Sequence, residues 1–149
     1  MKKLLLLSAL FISTNSFALQ PLTTFNEIKT ALITGQKLRI VFDIAQCTFP
    51  PSTKPVDKQA AGLAGVGAYT PNEIFFDGTA NLIAASLPHF TLNDPRYLNR
   101  PVYDFDRYTI TPDNNITVIN RVLDATNYAI LGNSFSFTCK LGVAAVIYI

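Results

Sequence analysis

With 149 residues, a net charge of +2 and no cluster of Lys or Arg, the chain offers no electrostatic footprint for nucleic acid or an anionic lipid surface. One histidine and two cysteines are too few ligands for a Cys/His metal site. The length fits a single domain around a single core.

The first 18 residues, MKKLLLLSALFISTNSFA, carry two lysines, an apolar run from Leu4 to Ile12, and small residues at Ser16 and Ala18. That is the pattern of a secretory signal peptide. The run is shorter than the roughly 20 residues a bilayer span needs, and no cysteine follows it to take a lipid. The sequence therefore predicts cleavage before Leu19 and one mature domain over residues 19–149. It also predicts a periplasmic or secreted location, with no stable membrane insertion afterwards. Without Lys2 and Lys3, ten basic residues face ten acidic ones, so the mature chain is close to neutral.

"TTFNEIKTALITGQ" reads as one amphipathic helix. Thr24 and Glu27 have capping-box spacing, Phe25, Ile28 and Leu32 share a face, and Gly35 stands where a left-handed cap belongs. A helix of about ten residues is marginal alone, so this face must pack on a sheet. "KLRIVFDI" follows as a strand, with Leu38, Ile40 and Phe42 alternating with Arg39, Val41 and Asp43. The three prolines of "CTFPPSTKPVDKQ" predict a long surface loop. Gly62, Gly65 and Gly67 in "AAGLAGVGAY" leave open a bulge, a close backbone approach or a flexible loop.

From Asn72 onward the pattern is strand after strand. "EIFF" and "TANLIAAS" flank Asp77-Gly78, a hairpin signal. "PVYDFDRYTIT" and "ITVINRVLDA" flank Pro112 to Asn115, another turn. "SFSFTCKL" and "GVAAVIYI" close the chain around Gly142. Sequential hairpins with one helix give an α+β domain, mainly antiparallel β, with the N-terminal helix packed on a curled meander sheet. An outer-membrane barrel would need at least eight strands of about ten residues, and the proline loop, glycine segment and helix leave too little chain for that.

Cys47 and Cys139, in a chain bound for an oxidising compartment, allow one pairing, and the sequence predicts a disulfide between them that staples the first strand to the penultimate one. In the chain-entropy model, closing a loop of about 93 residues is worth about 4–5 kcal/mol. A redox pair would more commonly show C-x-x-C spacing.

Three residues could carry chemistry. His89, the only histidine, could be a general base, but between Pro88 and Phe90 it reads as structural. Asp104 and Asp106 in "YDFDRY" share one side of a strand, about 7 Å apart. They could divide acid and base roles, but their alternation with Tyr103 and Phe105 reads as a solvated face. A cross-strand pair of Arg121 with either aspartate is within reach. The aromatic content is mostly core material, though a curled sheet could enclose a cavity for a small apolar ligand. Nucleotide, hydrolase-elbow, zinc-protease and EF-hand motifs are absent, so no catalytic residue, cofactor or metal is assigned.

The order of features resembles the VirK proteins of Gram-negative bacteria. The resemblance rests on the leader, "ALITGQKLRIVFDIAQCT", "IFFDGTANLIAASLPHFT", "YDFDRYTITPDNNITV" and "FSFTCKLGV", and it spans essentially the whole mature chain. It implies a small exported protein associated with virulence or host interaction, with no family catalytic residue or cofactor to carry over. The expected function is that of a non-enzymatic binding or accessory module for an unidentified protein or a small apolar ligand. The alternatives are a small apolar-ligand carrier with a cavity in the curled β-sheet and, ranked after it, a small hydrolase using Asp104, Asp106 and His89.

Overall fold

The computed structural model describes residues 19–61 and 66–149. The predicted leader segment, Gly62 and Gly65 lie outside the described residues.

Helix α1 (Phe25–Ile33) begins at a reciprocal cap. Thr24 Oγ1 accepts from the Glu27 N–H at 3.3 Å, and the Glu27 carboxylate accepts from the Thr24 N–H at 3.0 Å. It ends at Gly35, whose φ of +78° lets its N–H reach the Leu32 carbonyl while that of Gln36 reaches Ala31.

The strands form two sheets, and every pairing is antiparallel. One sheet runs in the order β1 (Pro21–Leu22), β9 (Ala145–Tyr148), β2 (Arg39–Asp43) and β3 (Val66–Tyr69). The other is a meander of β4 (Glu73–Asp77), β5 (Leu82–Thr91), β6 (Val102–Thr111), β7 (Asn115–Asp124) and β8 (Ile130–Lys140). The single curled meander expected from the hairpin pattern is thus corrected to two sheets. After Lys140 the chain turns at Gly142, φ +75°, and its last strand leaves the meander to lie between β1 and β2.

The turns explain the registers. Asp77-Gly78 does not form a two-residue hairpin: the loop runs from Gly78 to Asn81, Asn81 takes the positive φ, and Asp77 Oδ1 accepts from the N–H groups of Thr79 and Ala80. Between β6 and β7 the loop is Pro112 to Asn114, with Asn114 at φ +60°. The Asn114 side chain accepts from the Phe25 N–H at 2.7 Å, which fastens α1 to this hairpin. The proline-rich stretch contains a short helix, α2 (Pro55–Ala60), with proline at the first helical position.

The sheets pack face to face. Phe42 of β2 stacks on Tyr108 of β6 at 6.0 Å and meets Phe137 of β8 edge-on at 6.1 Å. Ile40, Ile83, Ile110, Ile116 and Ile147 complete a fully buried layer drawn from both sheets. Helix α1 closes one side, with Phe25 against Phe76 of β4 at 6.4 Å. The Cys47–Cys139 disulfide joins the turn after β2 to β8, and so one sheet to the other.

Candidate functional site

Strands β5, β6 and β7 are ten residues long, whereas β2 has five and β3 four. The short sheet therefore covers only part of the inner face of the long one. The inward row of β6 reads Val102, Asp104, Asp106, Tyr108, Ile110, and the inward row of β7 reads Ile116, Val118, Asn120, Val122. The registers set His89 opposite Asp104, and Asp106 opposite Asn120. Beyond Tyr108, the inner wall changes from isoleucine to carboxylate and amide.

The solvated-face reading of Asp104 and Asp106 is thereby corrected. They are 7% and 9% exposed, and it is Tyr103 and Phe105 that face outward. Tyr103 stacks with Tyr128 on that outer face and meets Phe90 edge-on. Arg121 pairs in register with Phe105 and lies exposed on the outer face, so it does not reach either aspartate.

The cation that does reach the site is Arg96, from the connection between β5 and β6. Its side chain is 9% exposed and its guanidinium packs 5.0 Å from the Phe135 ring centroid. It donates to both oxygens of Asp94, from Nε at 3.1 Å and from Nη2 at 2.7 Å. Nη2 also donates to Asp104 Oδ1 at 3.1 Å and Asn120 Oδ1 at 2.8 Å, and Nη1 lies 3.9 Å from Asp57 of α2. Asn120 then donates through Nδ2 to Asp106 Oδ1 at 2.8 Å. His89 Nε2 lies 3.5 Å from Asp104 Oδ2. Sequence reasoning missed Arg96, Asp94 and Asn120, because none stands in a recognisable motif.

Strand β8 carries an irregularity beside this cluster, where the Tyr97 hydroxyl stands over Gly132. Between the Asn120–Phe135 and Val122–Leu131 pairs, β7 spends one residue and β8 three, including Gly132 at φ +64°. Such bulges re-aim side chains at the ends of sheets. In β3, the Tyr69 ring lies over Gly67, where a Cβ would stand 2.6 Å from it. Of the readings left open for Gly67, the close approach is the one found.

The groups differ in proton affinity for identifiable reasons. Burial raises Asp94, but its bonds to Arg96 outweigh this and hold it below its ordinary value. Asp104 shares the same guanidinium and loses the competition. Burial, then the neighbouring Asp94 charge, pushes it up to about 6 against the pull of His89 and Arg96. Burial also raises Asp106, against the pull of the Asn120 amide. The Tyr69 and Tyr108 hydroxyls are raised first by burial and then by Asp106.

Asp104, Asp106, Tyr69 and Tyr108 line a cavity of about 160 Å3 between the sheets, open at one side. His89, Asp104, Asp106 and Asn120 form one wall, and Phe42, Tyr69, Phe135 and Phe137 lie against the rest. The expected apolar cavity is therefore corrected to a pocket with one charged wall. His89 and the two aspartates, singled out from sequence, converge in it. Among the described residues no group of three or more His, Cys, Asp or Glu side chains is placed to hold a metal ion.

The fold and site define a small, disulfide-linked protein of two facing antiparallel sheets with a polar pocket between them. Residues 21–128 match the family model described as VirK protein, and the chain belongs to the VirK family. It is 31% identical over 121 residues to the uncharacterized protein y4wH of Sinorhizobium fredii, covering 81% of this chain and 77% of that one. It superposes with a TM-score of 0.74 on the crystal structure of a VirK family protein from Legionella pneumophila, at 26% identity over 87% of this chain and 98% of the other.

Proposed function

We propose that the protein is an exported, non-enzymatic binding module that holds a small ligand in the pocket walled by His89, Asp104, Asp106 and Asn120. The observation that carries this reading is the open cavity ending in buried carboxylates, which Arg96 steadies from outside the lining. Burying such groups costs stability unless they are paired and hydrogen-bonded, so carboxylates kept at a cavity point to a use beyond packing. Export is supported by the leader sequence and by a disulfide, which persists in oxidising compartments. The module would act in the periplasm or outside the cell after cleavage before Leu19. An association with virulence or host interaction rests on family resemblance alone.

Two measurements test this. Intact mass of the protein recovered from periplasm and from culture supernatant should begin at Leu19, with both thiols blocked until reduction. A full-length mass with free thiols overturns export. For binding, a thermal-shift screen of small polar compounds should give hits that disappear in Ala61→Leu, since Ala61 lines the pocket. Hits that persist in that variant place binding elsewhere.

A second reading, a small hydrolase using His89, Asp104 and Asp106, is favoured by the 3.5 Å approach of His89 to Asp104. It requires turnover of generic ester or glycoside substrates that His89→Gln abolishes. No turnover by folded protein with the pocket open overturns it.

A further inference from the structure

The charges around the pocket do not balance. Asp104 and Asp106 of β6 line it, and behind them Asp94 of the β5–β6 connection and Asp57 of α2 surround Arg96. Facing them from the connection is the guanidinium of Arg96, and from β5 the imidazole of His89. Arg96 is already taken up by Asp94, Asp104 and Asn120. Asp106, 9% exposed, forms no ion pair with any described residue. Its hydrogen bond comes from a neutral amide, Asn120 Nδ2. Next to it on the inward row stands Tyr108, 1% exposed, a neutral group as well. A buried carboxylate without a cation is a costly arrangement, and a positive charge entering from the cavity would relieve it.

The rest of the lining is suited to the same kind of guest. Phe42, Tyr69, Phe135 and Phe137 line the cavity with aromatic rings, whose faces attract a cation and whose carbon covers apolar surface. A cavity of about 160 Å3 is close in size to one that holds benzene, so the guest has about six to eight non-hydrogen atoms. An anion would meet two carboxylates, and a neutral polar guest would bring Asp106 no countercharge against the burial that disfavours its ionised form.

We infer that the pocket takes a small organic cation, its ammonium or guanidinium group seated against Asp106 and Asp104 and its carbon part against Phe42 and Tyr69. This rests on the reading of the cavity as a ligand site and names the class of ligand. The guest favours the ionised carboxylates, so its binding releases protons and tightens as pH rises from 5 to 7.5.

The test is titration calorimetry on the mature, disulfide-intact chain. The probes are n-butylammonium, benzylammonium and methylguanidinium chlorides, set against n-pentanol and benzyl alcohol as neutral counterparts. At pH 7.5 at least one cation should bind about tenfold or more tightly than the neutral compounds, and more weakly at pH 5. Asp106→Asn should remove that advantage, whereas Asp113→Asn, on the exposed β6–β7 loop, should leave it intact. Equal binding of cation and neutral counterpart, lost in Ala61→Leu, overturns the cation assignment while the pocket survives as a ligand site. Binding of no cation by folded wild-type protein also overturns the assignment. If the wider screen then finds no hit sensitive to Ala61→Leu, the pocket reading falls with it. The comparison of probes on wild-type protein needs no variant to fold.

Discussion

Asn120 of β7 stands directly opposite Asp106 of β6 and donates to it at 2.8 Å, while its own carbonyl oxygen accepts from Arg96 at 2.8 Å. One neutral side chain thus links the buried cation to the buried carboxylate that has no cation of its own. Asn120→Ala removes both bonds in a site that is 7% exposed, and is expected to cost about 2–3 kcal/mol in urea unfolding at pH 7. A change below about 0.5 kcal/mol would show that water replaces the amide without loss.

Arg96→Ala leaves Asp94 and Asp104 buried without their cation. The expected loss at pH 7 is about 3–5 kcal/mol, smaller at pH 4, where Asp104 takes up a proton. Arg96→Lys keeps the charge but not the two-pronged fit to Asp94, so it should recover only part of the loss. Full recovery by lysine would contradict the role given to that geometry. Chemical denaturation of the three proteins at both pH values decides this.

Stability should fall between pH 4 and pH 6.5. Asp104 holds its proton with a pKa of about 6 when folded, against 3.8 ordinarily, so the native state binds more protons across this window. Its contribution, about 3 kcal/mol, is fully present below pH 3.8 and is lost as pH rises through 6. Asp94 has the opposite sign: its contribution is present above its ordinary value and is lost as pH falls through its depressed one. Urea midpoints from pH 3 to 8 should therefore peak near the acid end of the window. Asp104→Asn should flatten the descent, and an unaltered slope in that variant would assign the effect to another group.

Reduction of the disulfide, or Cys47→Ala, removes the covalent tie between the sheets. With the two cysteines separated by 92 residues, the expected loss is about 4 kcal/mol. A melting temperature indifferent to reductant, with thiol reactivity confirming reduction, would overturn this.

Asn114 allows two effects to be separated. Asn114→Gly keeps the backbone free to adopt φ +60° but removes the acceptor of the Phe25 N–H, whereas Asn114→Ala loses both. Losses of about 1 kcal/mol for glycine and about 2 kcal/mol for alanine are expected by thermal unfolding. Equal losses would mean that the backbone conformation contributes nothing.

Much of the secondary structure was legible because periodicity and turn chemistry are local. The segments from Asn72 to Leu141 alternate as half-buried strands do, and "PDNN" marks its hairpin. Which sheet the last strand joins was not legible, because that depends on pairing between residues more than a hundred positions apart. The face of Asp104 and Asp106 was misjudged by weighing polarity two residues at a time. The whole strand held the answer: Val102 and Ile110 share parity with the aspartates, whereas Arg107, Thr109 and Thr111 share parity with Tyr103. Arg96 and Asn120 carried no such sign, since a side chain from a loop and another from a neighbouring strand meet only after folding.

The placement of β9 between β1 and β2 has a bearing on timing. Until residues 145–148 are in place, β1 has no partner strand and β2 lacks one of its two neighbours. The meander can assemble earlier from its own hairpins, but its apolar inner wall then waits uncovered. The first sheet is thus held incomplete until residues 145–148 reach the compartment in which the chain folds. During that interval, whatever handles it meets an incomplete, sticky intermediate, and the four-residue strand β9 acts as the release.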